Sequence, residues 1–139
     1  MPRKATGNWT LTVTATGPLP KSVLDLNGGT LNISQQLIGP SKGDSFNILV
    51  AKVSAKGSSA SQAVSAAIDG DNKIGFVFMT SETPSQPYIL AHGKVNSGLN
   101  QINEGIIYSQ TSDFETDPIE EGTWSATSGG PGEGGGDKY

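Results

Sequence analysis

The chain has no cysteine, so it forms no disulfide and offers no thiolate as a nucleophile or metal ligand. It has one histidine, which excludes the multi-histidine metal sites. Aromatic residues are 6% of the chain and only two are Trp, so few large side chains are on hand to fill a core. Apolar residues make up 34%, below the ~45–50% usual for globular chains, a range that also counts Gly. No apolar run approaches the ~20 residues of a membrane-spanning helix. The opening "MPRKATGNW" has basic residues with no hydrophobic stretch behind them, so it does not read as a secretory signal. The cytoplasm is the default expectation.

Strong positive charge is also missing. The formal net charge is -4. Residues 1–112 carry eight Lys or Arg against six acids, and residues 113–139 carry one Lys against seven acids. A body at +2 and an end at -6 do not make a nucleic-acid surface, so no nucleic-acid partner is expected.

What is present is alternation. In "WTLTVTA" the residues Trp9, Leu11, Val13 and Ala15 face one way and three Thr face the other, the mark of a half-buried strand. Similar strands are expected at "TLNISQQLI", "SFNILVAKVSA", "QAVSAAI", "IGFVFMTS", "YILAHGKV", "QINEGIIYS" and "GTWSATS". The stretch "TGPLPKSVLDLNGG" reads as a loop with one helical turn. "DGDNK" reads as a two-residue hairpin turn, with Asp and Gly tolerating positive φ. The Ala-rich "QAVSAAI" is where a helix competes, and a helix there would make the fold α+β. About eight short, evenly spaced strands predict an all-β protein: an antiparallel up-and-down β-barrel, with a two-sheet sandwich as the alternative. The domain reading is a flexible N-terminus at 1–6, the barrel at 7–128 and a Gly-rich acidic tail at 129–139. That tail has six Gly among eleven residues and cannot offset its chain entropy by burial.

The two Trp sit in near-copies of one motif, "GNWTLTV" at the start and "GTWSAT" at the end. First and last strands meet in a closed barrel, so Gly7, Trp9, Gly122 and Trp124 are expected to form the closure, each Gly easing a bend or close approach beside its Trp. This layout resembles the calycin barrels, the group of lipocalins, fatty-acid-binding proteins and avidins, in which a Gly-x-Trp opens the first strand. The resemblance spans residues 7–128 and implies a closed up-and-down barrel.

No triad, P-loop, dinucleotide fingerprint or zinc-protease motif is present, so no catalytic residue and no cofactor are expected. The acidic run 113–121, with Asp113, Glu115, Asp117, Glu120 and Glu121, has the oxygen donors of a calcium loop without the twelve-residue spacing, and reads first as a solvated loop. The favoured function is a non-catalytic binding barrel for a small apolar or amphipathic ligand. Its lining would be Phe76, Phe78, Tyr88, Leu90 and Tyr108, with His92 as a polar contact if its strand face is interior. The alternative is a structural or assembly subunit, a homo-oligomer of a particle, fibre or surface layer, that uses its termini for contacts between subunits.

Overall fold

Alternation of apolar and polar residues becomes eight strands in the computed structural model, which describes residues 3–38, 46–80, 87–111 and 117–128. In chain order they are β1 (Gly7–Ala15), a short helix α1 (Lys21–Leu24), β2 (Thr30–Ile38), β3 (Phe46–Ser54), β4 (Gln62–Asp69), β5 (Lys73–Met79), β6 (Tyr88–Val95), β7 (Gln101–Gln110) and β8 (Ile119–Ser128). Each pairs antiparallel with the next, and β1 pairs with β8, so the sheet closes as an up-and-down barrel. The strand expectation for "QAVSAAI" holds: β4 pairs with β3 along its length and with β5 across the turn. That turn is longer than expected. Three residues, not two, separate Asp69 from Lys73, and the positive φ falls on Asn72. The Asp69 carboxylate accepts from the backbone N–H of Asp71 and Lys73 at 2.9 and 3.0 Å and so holds this longer loop.

β1 and β8 pair and close the barrel, and the glycines that precede the two Trp residues differ in what holds them. Trp9 opposes Ser128 and Trp124 opposes Val13, so the antiparallel pairing carries the two Trp toward opposite ends of the β1–β8 seam. Trp9 is 2% exposed and Trp124 6%. Gly7 has φ 131°, which other residues rarely adopt. Gly122 has ordinary φ, but a Cβ there would lie 2.7 Å from the Thr14 carbonyl oxygen and 2.8 Å from Leu19. Both indole N–H groups are satisfied at 2.9 Å, Trp9 donating to the Ala5 carbonyl and Trp124 to that of His92.

Inward residues fill the barrel. Leu31, Ile33, Ile68, Ile74, Ile89, Ile102, Val23 and Val95 are, with Trp9, essentially inaccessible, each worth roughly 1.5–3 kcal/mol of burial. Phe76 meets Trp124 edge-on, with ring centroids 5.6 Å apart, a geometry that adds about 0.5–1.5 kcal/mol. The two ends of the barrel differ. At one end Val23 of α1 is buried, and Leu19 and Leu26 pack beside it. At the other, residues 3–6 form a strap. The Arg3 N–H donates to Asn72 Oδ1 at 2.6 Å and its guanidinium to the Val95 carbonyl at 2.7 Å. Gln36 brackets the strap, accepting from Ala5 N–H and donating to the Arg3 carbonyl. The tail at 129–139 lies outside the described residues.

The outside of the barrel has two characters. Across β1 and β8, Thr10 opposes Thr127, Thr12 opposes Ser125 and Thr14 opposes Thr123. On β2, β3 and β5, Leu37, Phe46, Ile48, Val50, Val77 and Met79 expose 38–60% of their surface. No helix among the described residues is long and apolar enough to cross a membrane. A lipid-embedded barrel needs an apolar band on every strand, and the Thr-rich seam interrupts one here.

Candidate functional site

Strand register decides where the expected ligand-lining residues go. Phe76 opposes Ala91 and Phe78 opposes Ile89, and this set faces inward. Gly75 opposes His92, Val77 opposes Leu90 and Met79 opposes Tyr88, and this set faces outward. Tyr108 opposes Leu90 and is also outside. The six residues therefore split between the two faces of the sheet: Phe76 and Phe78 line the inner cavity, His92 and Tyr108 an outer groove, and Tyr88 and Leu90 line neither. His92, conditionally placed as an interior polar contact, is exposed on the outer wall.

The interior has little room. Phe76 and Phe78 line a residual cavity of about 40 Å³ together with Leu11, Val23, Val64 and Trp124. Ligand pockets run to roughly 300–1,000 Å³. So small a space, with no polar group on its lining to orient a ligand, makes this lumen packed core.

The larger space is outside. A groove of about 550 Å³ crosses β4 to β7. Ala67 and Gly75 form its floor, cross-strand neighbours with almost no side chain between them. Phe46 stands at one side; His92, Ile106 and Tyr108 stand at the other. The His92 and Tyr108 rings are tilted at 57° with centroids 5.6 Å apart, so they form one aromatic wall. At the end nearest the β4–β5 turn, Lys73 and Lys94 lie directly opposite each other on β5 and β6. Like charges so placed destabilise a sheet, and among the described residues neither has an ion-pair partner. Asp69 and Glu104 also reach the groove. Asp69 is committed to the turn backbone, and Glu104 stands on β7, at a bulge, with φ 57°.

Gly75 is the residue that sequence reading missed. One glycine lies in each of β5 to β8, and three of the four are demanded by packing. A Cβ at Gly93 would sit 2.8 Å from Ile102 and 2.9 Å from the Trp124 ring; one at Gly105 would overlap the Trp124 carbonyl; Gly122 is pressed as described above. Gly75 is different. Its φ is ordinary, and a Cβ there would find only His92 Cδ2 at 3.6 Å and the Ala91 carbonyl at 3.9 Å, normal contact distances. Glycine inside a strand costs roughly 0.5–1 kcal/mol relative to Ala. Neither sterics nor backbone conformation requires it here, and its effect is to keep the groove floor open.

Of the acidic run, Asp113 and Glu115 lie outside the described residues, Asp117 and Glu120 are exposed, and Glu121 is 6% exposed with Oε2 lacking a hydrogen-bond partner among the described residues. No three His, Asp or Glu side chains gather as a metal site among the described residues.

Compared with models of protein families, with characterised proteins and with solved structures, the chain matches none.

Proposed function

We propose that the protein is a non-catalytic binding barrel of calycin-like layout that carries its ligand on the outside, in the groove over Gly75. The ligand is a small amphipathic anion. Its flat apolar body lies on Ala67 and Gly75 between Phe46 and the His92–Tyr108 wall, and its anionic head meets Lys73 and Lys94. The observation that carries this reading is the unforced glycine under a groove of ligand size. The facing lysines support it, because an anion between them would turn a repulsion into two charge-assisted contacts. The filled interior argues against the lumen as the alternative place for a ligand.

A matched pair of probes tests it: 1-naphthaleneacetate, and 1-naphthaleneacetamide, which has the same rings without the charge. Both are titrated into the ¹⁵N-labelled protein and followed by amide shifts. The carboxylate is expected to bind several-fold more tightly and to move amides of β4 to β7 around Gly75. Equal affinities, or shifts confined to β1 and β8, would contradict the reading.

The assembly reading keeps one specific support, the exposed apolar side chains on β2, β3 and β5.

A further inference from the structure

On the basis of the groove reading above, we infer that the ligand is an aromatic α-amino acid, and that Glu104 selects it by accepting from its ammonium group. The carboxylate of the amino acid is then the anionic head that meets Lys73 and Lys94. Glu104 lines the same groove. Lys94 opposes Lys73 on one side and, on the other, Asn103, the residue before Glu104. Lys73, Lys94 and Glu104 therefore follow one another across β5, β6 and β7 at the head end of the groove. Glu104 is exposed, and among the described residues its carboxylate has no hydrogen bond and no ion pair, not even with Lys94.

Backbone conformation marks this residue out. Glu104 and Gly105 together face Gly93 as a bulge in β7, and Glu104 takes a left-handed φ of 57°. Glycine is the residue that fits such a bulge position, because other side chains are strained there. Of the other non-Gly residues with positive φ, Asn72 is of a type that tolerates it and Leu99 sits in the β6–β7 turn. Among the described residues only Glu104 holds this conformation inside a strand. The groove thus breaks two local rules at once. Gly75 is a glycine where nothing requires one, and Glu104 is a side chain where glycine is preferred. Departures of this sort gather at functional sites.

The order of charges sets the ligand class. Two facing cations take an anionic head, and an unpaired carboxylate one strand further takes a cationic donor. The carboxylate and ammonium of an α-amino acid sit on one carbon, close enough together to serve neighbouring strands about 4.8 Å apart. A peptide carries these two groups at opposite ends, so the free amino acid fits and the peptide does not. Its side chain then lies over Ala67 and Gly75 beside the His92–Tyr108 wall, where an aromatic ring packs against aromatic rings.

Two probes that share one ring system test this by calorimetry: 3-(1-naphthyl)-L-alanine, and 3-(1-naphthyl)propanoate, which lacks only the amino group. Each is titrated into the full chain, into Glu104→Gln and into Glu104→Gly. The wild type is expected to bind the amino acid several-fold more tightly than the propanoate. In the Glu104 variants the amino acid is expected to lose about tenfold in affinity, while the propanoate binds more tightly than in wild type because a carboxylate beside its own has gone. A groove merely damaged by substitution would weaken both probes alike. Thermal melts establish that each variant is folded, and Glu104→Gly, which suits the backbone, carries the test if Glu104→Gln does not fold. Equal binding of the two probes by wild type overturns the inference and leaves the groove reading standing. So does a preference for the amino acid that survives in a folded Glu104 variant, or a loss of the same size for both probes. Failure of both probes to bind the wild type overturns the inference and the groove reading together.

Discussion

The indole N–H of Trp124 donates to the carbonyl of His92 at 2.9 Å, so the residue that closes the core is tied to the strand whose other face carries the groove wall. One peptide of β6 thus serves both sides of the sheet: its carbonyl is held from inside, and the His92 ring stands outside against Tyr108. Trp124→Phe keeps most of the ring volume but leaves that carbonyl without its donor. It is expected to cost about 1–3 kcal/mol. Trp124→Ala, which also empties the space beside Phe76, is expected to cost about 3–5 kcal/mol. Urea unfolding of the two variants beside wild type checks both values, and a Trp124→Phe protein as stable as wild type would mean that the hydrogen bond adds nothing.

The strap at the barrel mouth gives a second expectation. Arg3 bonds to Asn72 and Val95, and Ala5 is fully buried. Arg3→Ala should lower stability by about 1 kcal/mol through its side-chain bond to the Val95 carbonyl, seen as a lower urea midpoint. A chain lacking residues 1–6 should lose more, since it also leaves the Trp9 indole without the Ala5 carbonyl. Unchanged unfolding of the truncated chain would show that the strap carries no stability.

Glycine-to-alanine changes along β5 to β8 should separate sharply. Gly105→Ala drives a Cβ into the Trp124 carbonyl and Gly93→Ala drives one against the Trp124 ring, and overpacking of that kind costs typically about 1–3 kcal/mol or more. Gly75→Ala meets only ordinary contacts and should be neutral or stabilising by up to about 1 kcal/mol. Melting temperatures of the three variants decide this; a Gly75→Ala protein destabilised like the others would restore a structural reason for that glycine.

The strands and the closure were legible in the chain because each depends on local alternation. Trp9, Leu11 and Val13 announce their face whatever surrounds them. The side taken by β6 was not legible. Tyr88, Leu90 and His92 alternate with Ile89 and Ala91, and both sets are largely apolar, one facing the core and the other the outside of the barrel. Period two separates two faces but does not say which is inside when neither is polar. Pairing with β5 decides it, since Phe76 and Phe78 carry Ala91 and Ile89 inward with them. Lys73 and Lys94 are 21 positions apart in sequence, and only the register makes them neighbours. Gly75 looked like any strand glycine until the space around its missing Cβ was known. The three-residue turn escaped because "DG" suits a two-residue hairpin equally well, and it is Asn72 that takes the positive φ.

The most direct measurement is the affinity of Gly75→Val for 1-naphthaleneacetate, taken by calorimetry beside its melting temperature. Valine suits a strand, and its Cβ position is free of backbone conflict, so the barrel should melt at or above the wild-type temperature. Its methyl groups would stand on the groove floor between Phe46 and the His92–Tyr108 wall. Binding lost in a protein that is no less stable is the expected result. Binding at wild-type affinity in a folded Gly75→Val protein would contradict the account and take the ligand out of this groove.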